Sequence, residues 1–201
     1  MKTPPLLRSP LLRSPVLRVS VWLSMGVAVV FGATACIGAV DRAEFDADMR
    51  SRGGGMTSDL VGDGLAALAV RYGVAEVQVT NLDIAPVEQL AVTVRDPANP
   101  DQLDQYTFDG ENVSEPSPVV VSALEDLDAR AFTLDDVPAL GRVEHLVDEA
   151  LSRSGLEGGQ VVGISVTRAG GISPTAMVES SRSRSVVVFD ADGAVVGVHP
   201  L

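Results

Sequence analysis

One cysteine in 201 residues excludes an intrachain disulfide and any multi-cysteine zinc site. Two histidines, His145 and His199, leave little from which to build a histidine metal cluster. Aromatic residues make up only 4% of the chain, which limits how dense a core it can pack; 46% is hydrophobic all the same, too much for a disordered polyanion. Bases are scarce as well, 15 against 27 acids for a formal charge of −12, which argues against a nucleic-acid binder. The scarcity is uneven. Lys2, Arg8, Arg13 and Arg18 all precede the first acid, Asp41, so from Cys36 onward 11 arginines face 27 acids, a balance of −16. No Gly-x-Ser-x-Gly marks a nucleophilic serine, and Gly158-Gly159 and Gly170-Gly171 lack the Lys-Ser/Thr of a phosphate loop and read as turns. No catalytic, metal or cofactor-binding residue is expected, and no cofactor.

What the chain does have is an uncharged, proline-free run from Val19 to Val40. Its 22 residues span a bilayer as a helix at about 1.5 Å per residue. Nine are Val, Leu, Ile or Phe, which together favour insertion by about 3–5 kcal/mol before the Ser, Thr and Gly offsets. Bases before the run and acids after it orient it with residues 1–18 as a basic cytoplasmic tail and the remainder outside. Two mechanisms fit residues 19–40. One is an uncleaved transmembrane anchor; the other is a lipoprotein signal, in which Ala33-Thr34-Ala35-Cys36 serves as the lipobox and Cys36 is the lipidation site. Both lead to a cell-membrane protein, single-pass or lipid-anchored, with its C-terminal part extracytoplasmic.

Residues 41–57 carry mixed charges and Gly53-Gly54-Gly55 without apolar periodicity, and read as a tether. Beyond them the chain is similar to itself. Val61, Leu65, Leu68 and Tyr72 lie on one helical face that Gly73 terminates; 82 residues later Val143, Val147, Ala150 and Ser154 keep the same spacing before Gly155. Thr57 or Ser58 can cap the first helix, and Asp135-Asp136 with Pro138 can start the second. Strand-like stretches follow each helix: Val77–Val79, Leu90–Val94 and Tyr106–Gly110 in the first half, Val162–Val166, Thr175–Ser180 and Val186–Gly193 in the second. The expected fold is α+β, two helix-plus-antiparallel-sheet repeats in the order α-β-β-β twice. Residues 58–121 form the first, 122–136 an acidic linker and 137–201 the second. A short sheet with one apolar face needs a cover, and the amphipathic helix supplies it.

Three polar groupings have structural readings. Asp190-Ala191-Asp192-Gly193 reads as a hairpin turn between Val186–Phe189 and Ala194–Val198, since the other ligands of a calcium loop are missing. His145 and Glu149 share a helical face as an acid–base pair would, but His145 borders the apolar stripe and reads as solvated. Arg182 and Arg184 read as protection of a sheet edge.

The segment Leu146-Val147-Asp148-Glu149-Ala150-Leu151 through Gly155, continued by Phe189-Asp190-Ala191-Asp192-Gly193 and Ala194-Val195-Val196-Gly197, resembles the PepSY-like domains of the bacterial envelope. The resemblance covers about 60 residues of the second repeat and reaches the first by analogy. It implies a non-catalytic module, of a kind found beside extracytoplasmic peptidases and in exported lipoproteins, that acts by inhibition or protein binding. The expected function is a non-enzymatic, membrane-tethered extracytoplasmic module that binds an envelope protein or peptide at a sheet edge or face. Its membrane contact would run through the N-terminal segment, with no nucleic acid involved. The alternative is a lipoprotein that carries a hydrophobic ligand between sheet and helices, which requires an apolar cavity of about 300 Å³ or more.

Overall fold

Helix α1 (Ser58–Tyr72) starts where the Thr57 hydroxyl accepts the Leu60 N–H, and it ends at Gly73, whose φ of 68° closes the last turn. A computed structural model describes residues 54–87 and 89–201. The basic tail 1–18, the segment 19–40 with Cys36, and residues 41–53 of the tether lie outside the described residues. Among the described residues no helix is long and apolar enough to cross a membrane.

Four strands follow α1: β1 (Val79–Ala85), β2 (Gln89–Arg95), β3 (Leu103–Phe108) and the short β4 (Ser117–Val119). A one-turn helix, α2 (Leu127–Arg130), and a 3₁₀ turn (Pro138–Arg142) lead into α3 (Val143–Ser154), which Gly155 ends at φ 67°. The second set is β5 (Gln160–Arg168), β6 (Ile172–Glu179), β7 (Arg184–Phe189) and β8 (Val195–Pro200). The eight strands among the described residues form one antiparallel sheet in the order β4-β3-β2-β1-β5-β6-β7-β8. Each set runs outward from the centre, where β1 and β5 pair, with Leu82 opposite Val166 and Ile84 opposite Ile164. The architecture is α+β.

One face of this sheet carries the core. Leu82, Ile84, Leu90, Val92, Phe108, Ile164, Ala176, Val178, Val187 and Phe189 are buried together with Val61, Leu65 and Leu68 of α1 and Val143, Leu146 and Val147 of α3. Each fully buried Leu, Val or Phe side chain contributes about 1.5–3 kcal/mol. Helix α1 packs tightly at Gly64, where an added Cβ would lie 2.6 Å from a Leu90 methyl and 3.0 Å from the Phe108 ring.

Several particulars differ from the sequence expectation. Each half has four strands where three are expected. β8 is the strand that the Asp190–Gly193 turn requires; β4 is only three residues long and contains Pro118, so no periodicity announces it. The end of the tether belongs to the fold: Met56 is 2% exposed, and the Gly54 carbonyl accepts the Val87 N–H. The acidic linker does more than connect. Phe132, 2% exposed, exchanges both backbone hydrogen bonds with Val79, where β1 has a register irregularity before its pairing with β5 begins. A single apolar side chain amid acids is invisible to a periodicity argument, yet it anchors the segment. Ser180–Ser183 forms the β6–β7 turn, and Arg184 pairs with Glu179 at 2.8 Å, so the two arginines flank an interior hairpin and protect no edge.

Candidate functional site

The helices cover one face of the sheet, which leaves the other to be accounted for. Directly opposed residues of an antiparallel pair share a face. Asp83 opposes Ser165, Ser165 opposes Thr175, Gly163 opposes Met177 and Met177 opposes Val186. These residues therefore line the face opposite to that of Ile84, Ile164, Ala176 and Val187. At the β2–β3 end that face is occupied: Arg95 reaches Asp128 of α2 at 2.6 Å, and Leu103, paired with Arg95, is buried. Over β1, β5, β6 and β7 nothing covers it among the described residues. Val162 and Met177 remain 37% and 38% exposed.

The open part is a shallow trough of about 300 Å³. Its shape follows from side-chain size. Gly163 has no side chain and Ala85 has a short one, so they leave a low floor between Val162, Met177 and Val186 on one side and Asp83, Ser165 and Thr175 on the other. A bulge next to Gly163, where β5 slips between Val161 and Gly163 against β6, turns Val162 outward while Val161 stays in the core. The alternation Val162, Ile164, Val166 thus does not lie on one face.

The polar groups of the trough are mostly engaged within the sheet. Thr175 donates its hydroxyl to the Ser165 carbonyl at 3.2 Å, and the Asn81 amide donates to the Asp83 carboxylate. Asp83 is the single charge of the trough lining. Such a surface offers apolar contact beside one carboxylate.

Other groupings resolve as structure. Among the described residues no group of three or more His, Cys, Asp or Glu side chains is placed to hold a metal. His145 is exposed, and its neighbour Glu149 pairs with Arg153 at 3.2 Å while Glu144 accepts the Ser58 N–H at 3.1 Å. His145 and Glu149 are not brought together. Asp190 caps its own turn by accepting the N–H groups of Asp192 and Ala194, and Gly193 sits at φ 88°. A tyrosine pair locks α1 to β3: the Tyr72 and Tyr106 hydroxyls are 2.7 Å apart, their rings meet edge to face, and Arg71 lies over the Tyr106 ring. Burial, then the hydrogen bond to Tyr106, push the Tyr72 phenol well above its ordinary range, so it serves as a clamp and makes a poor proton donor. A second groove, about 380 Å³, lies beside α1 between Ala66, Ala75 and Asp135; Glu76 and Asp135 make its rim acidic.

Sequence reasoning named Cys36, which lies outside the described residues, and found no part of the trough. One signal for it exists in the chain. Val186-Val187-Val188 is apolar on consecutive positions, as a strand is when both of its faces are covered, yet only Val187 faces the core.

No family model matches this chain, and no curated protein matches it. Among solved structures it is similar to a candidate lipoprotein from Clostridium difficile 630, at 13% identity and a TM-score of 0.48, over 70% of this chain and 92% of that chain.

Proposed function

We propose that this protein is a non-enzymatic, envelope-tethered module that binds an extended segment of a protein or peptide on the open face of its sheet. The observation that carries the reading is the trough over β1, β5, β6 and β7, which nothing covers among the described residues and where valine and methionine side chains meet solvent. The N-terminal run Val19–Val40 supports placement of the folded part outside the membrane, held by a helix or by lipid on Cys36. The similarity of Leu146–Gly155 and Phe189–Gly197 to PepSY-like domains supports a non-catalytic role. A balance of −16 from Cys36 onward, with Asp83 in the trough, favours a partner segment that combines apolar and basic residues.

The test fills the trough without touching the core. At Gly163 an added Cβ meets only the Ile84 carbonyl, at 3.5 Å, and the backbone φ is not positive, so Gly163→Val fits the strand. Capture of envelope proteins by the full chain in solubilised membranes is compared with capture by this variant. The reading expects a partner that the wild type retains and Gly163→Val loses, with unfolding unchanged or slightly later. Equal capture by both, or none by either, removes it.

A further inference from the structure

The sheet has two edges, and they are protected very differently. β4 is three residues long with Pro118 at its centre. β8 is six residues, Val195-Val196-Gly197-Val198-His199-Pro200, with no Lys, Arg, Asp or Glu in it. Leu201 N–H donates to the Arg184 carbonyl at 3.0 Å, so by alternation His199 and Gly197 turn their backbone polar groups toward β7. Val198 turns its N–H and C=O away from the sheet, and so does Pro200, which has no N–H to leave unpaired. Val196 is 62% exposed and Val198 37%. The middle of β8 is thus, among the described residues, an apolar strand edge with open hydrogen-bonding groups.

We infer that β8 pairs antiparallel with β8 of a second copy, about a two-fold axis at Val198. In that register Val198 exchanges two backbone hydrogen bonds with Val198 of the second copy. Each Val196 N–H meets the carbonyl of the other copy's Pro200, and the one bond the proline cannot supply leaves the Val196 carbonyl to solvent. Val198 shares the helix side of the sheet with Val187, its partner in β7, and the two copies bring their exposed valines together there.

Charge favours the same arrangement. At one end of the β7–β8 hairpin Arg182 and Arg184 outnumber Glu179; at the other Asp190 and Asp192 outnumber Arg142, which donates to the Asp192 carbonyl. An antiparallel pair sets the basic end of one copy beside the acidic end of the other, whereas a parallel pair would set like beside like. The protected β4 edge then stops growth at two copies, so the product is a closed dimer with a sixteen-strand sheet instead of a fibre.

The test uses the full chain in detergent or in its own membrane. Val198→Cys places two thiols across the axis at a Cα separation of about 5.5 Å, within disulfide reach. Thr107→Cys, exposed on β3, reports random collision, and the wild type reports Cys36 alone. Under mild oxidation Val198→Cys is expected to form a dimer of twice the chain mass about a hundredfold faster than Thr107→Cys. Equal rates, or an adduct of Val198→Cys with a protein of another mass, overturn the self-pairing. Sedimentation of the wild type from about 1 to 100 μM gives a measure free of any substitution. A monomer throughout overturns the inference, as does a dimer that survives Val198→Lys, because association would then lie elsewhere in the chain.

Discussion

Two glycines, two residues apart in α1, should respond in opposite directions to the same substitution. At Gly62 an added methyl meets nothing within 4 Å, so Gly62→Ala gains the helix propensity of alanine, about 0.8–1 kcal/mol. At Gly64 the same gain is opposed by contact. The new Cβ would sit 2.6 Å from a methyl of Leu90, itself 1% exposed, and 3.0 Å from the Phe108 ring, with the strand behind them unable to retreat. Overpacking of this kind costs about 1–3 kcal/mol, which leaves Gly64→Ala near 1 kcal/mol less stable than wild type. The two variants should therefore differ by about 2 kcal/mol, some 5–6 °C in midpoint for a domain of this size. Urea and thermal unfolding of the full chain, followed by far-ultraviolet circular dichroism, measure both. Were Gly64→Ala as stable as Gly62→Ala, the helix would stand farther from β2 and β3 than described, and the packing reasoning would fail.

Two other perturbations bear on polar groups. The Tyr72 phenol is held protonated above its ordinary value of 10.0, chiefly by burial and then by Tyr106, so the folded state binds that proton more tightly than the unfolded state. Its contribution is intact below pH 10 and is lost as pH rises beyond it; alkaline unfolding should become shallower in Tyr72→Phe, and a spectrophotometric titration should show one phenol ionising late. Thr80 is 1% exposed and its hydroxyl has no hydrogen-bond partner among the described residues. Thr80→Val should raise stability by about 1–2 kcal/mol in denaturant titration, and a loss would show that the hydroxyl is satisfied.

Local features of this fold are legible in the chain and long-range ones are not. Val61, Leu65 and Leu68 state a helix face, Thr57 its start and Gly73 its end, because caps and stripes act within a few residues. Gly155 and the Asp190–Gly193 turn are readable for the same reason. The β1–β5 pairing that makes one sheet of two halves joins residues about 80 positions apart, and nothing local to Leu82 or Val166 specifies it. Phe132 and Met56 enter the core as single anchors, without neighbours to form a pattern. The trough is harder still. It arises from two side chains that are small, Gly163 and Ala85, and from a bulge that rephases Val162, and a glycine in a strand reads as a weakness before it reads as room for a partner.

The central claim is that something lies on the open face over β5–β7. A photoreactive residue in place of Met177, in the full chain within its own membrane, tests it most directly, with the same group at Val70, 82% exposed on α1, as reference. A discrete adduct from position 177 that is absent from position 70, and that fades when Gly163→Val is combined with it, is the predicted result. No adduct at 177, or the same products from both positions, would contradict it.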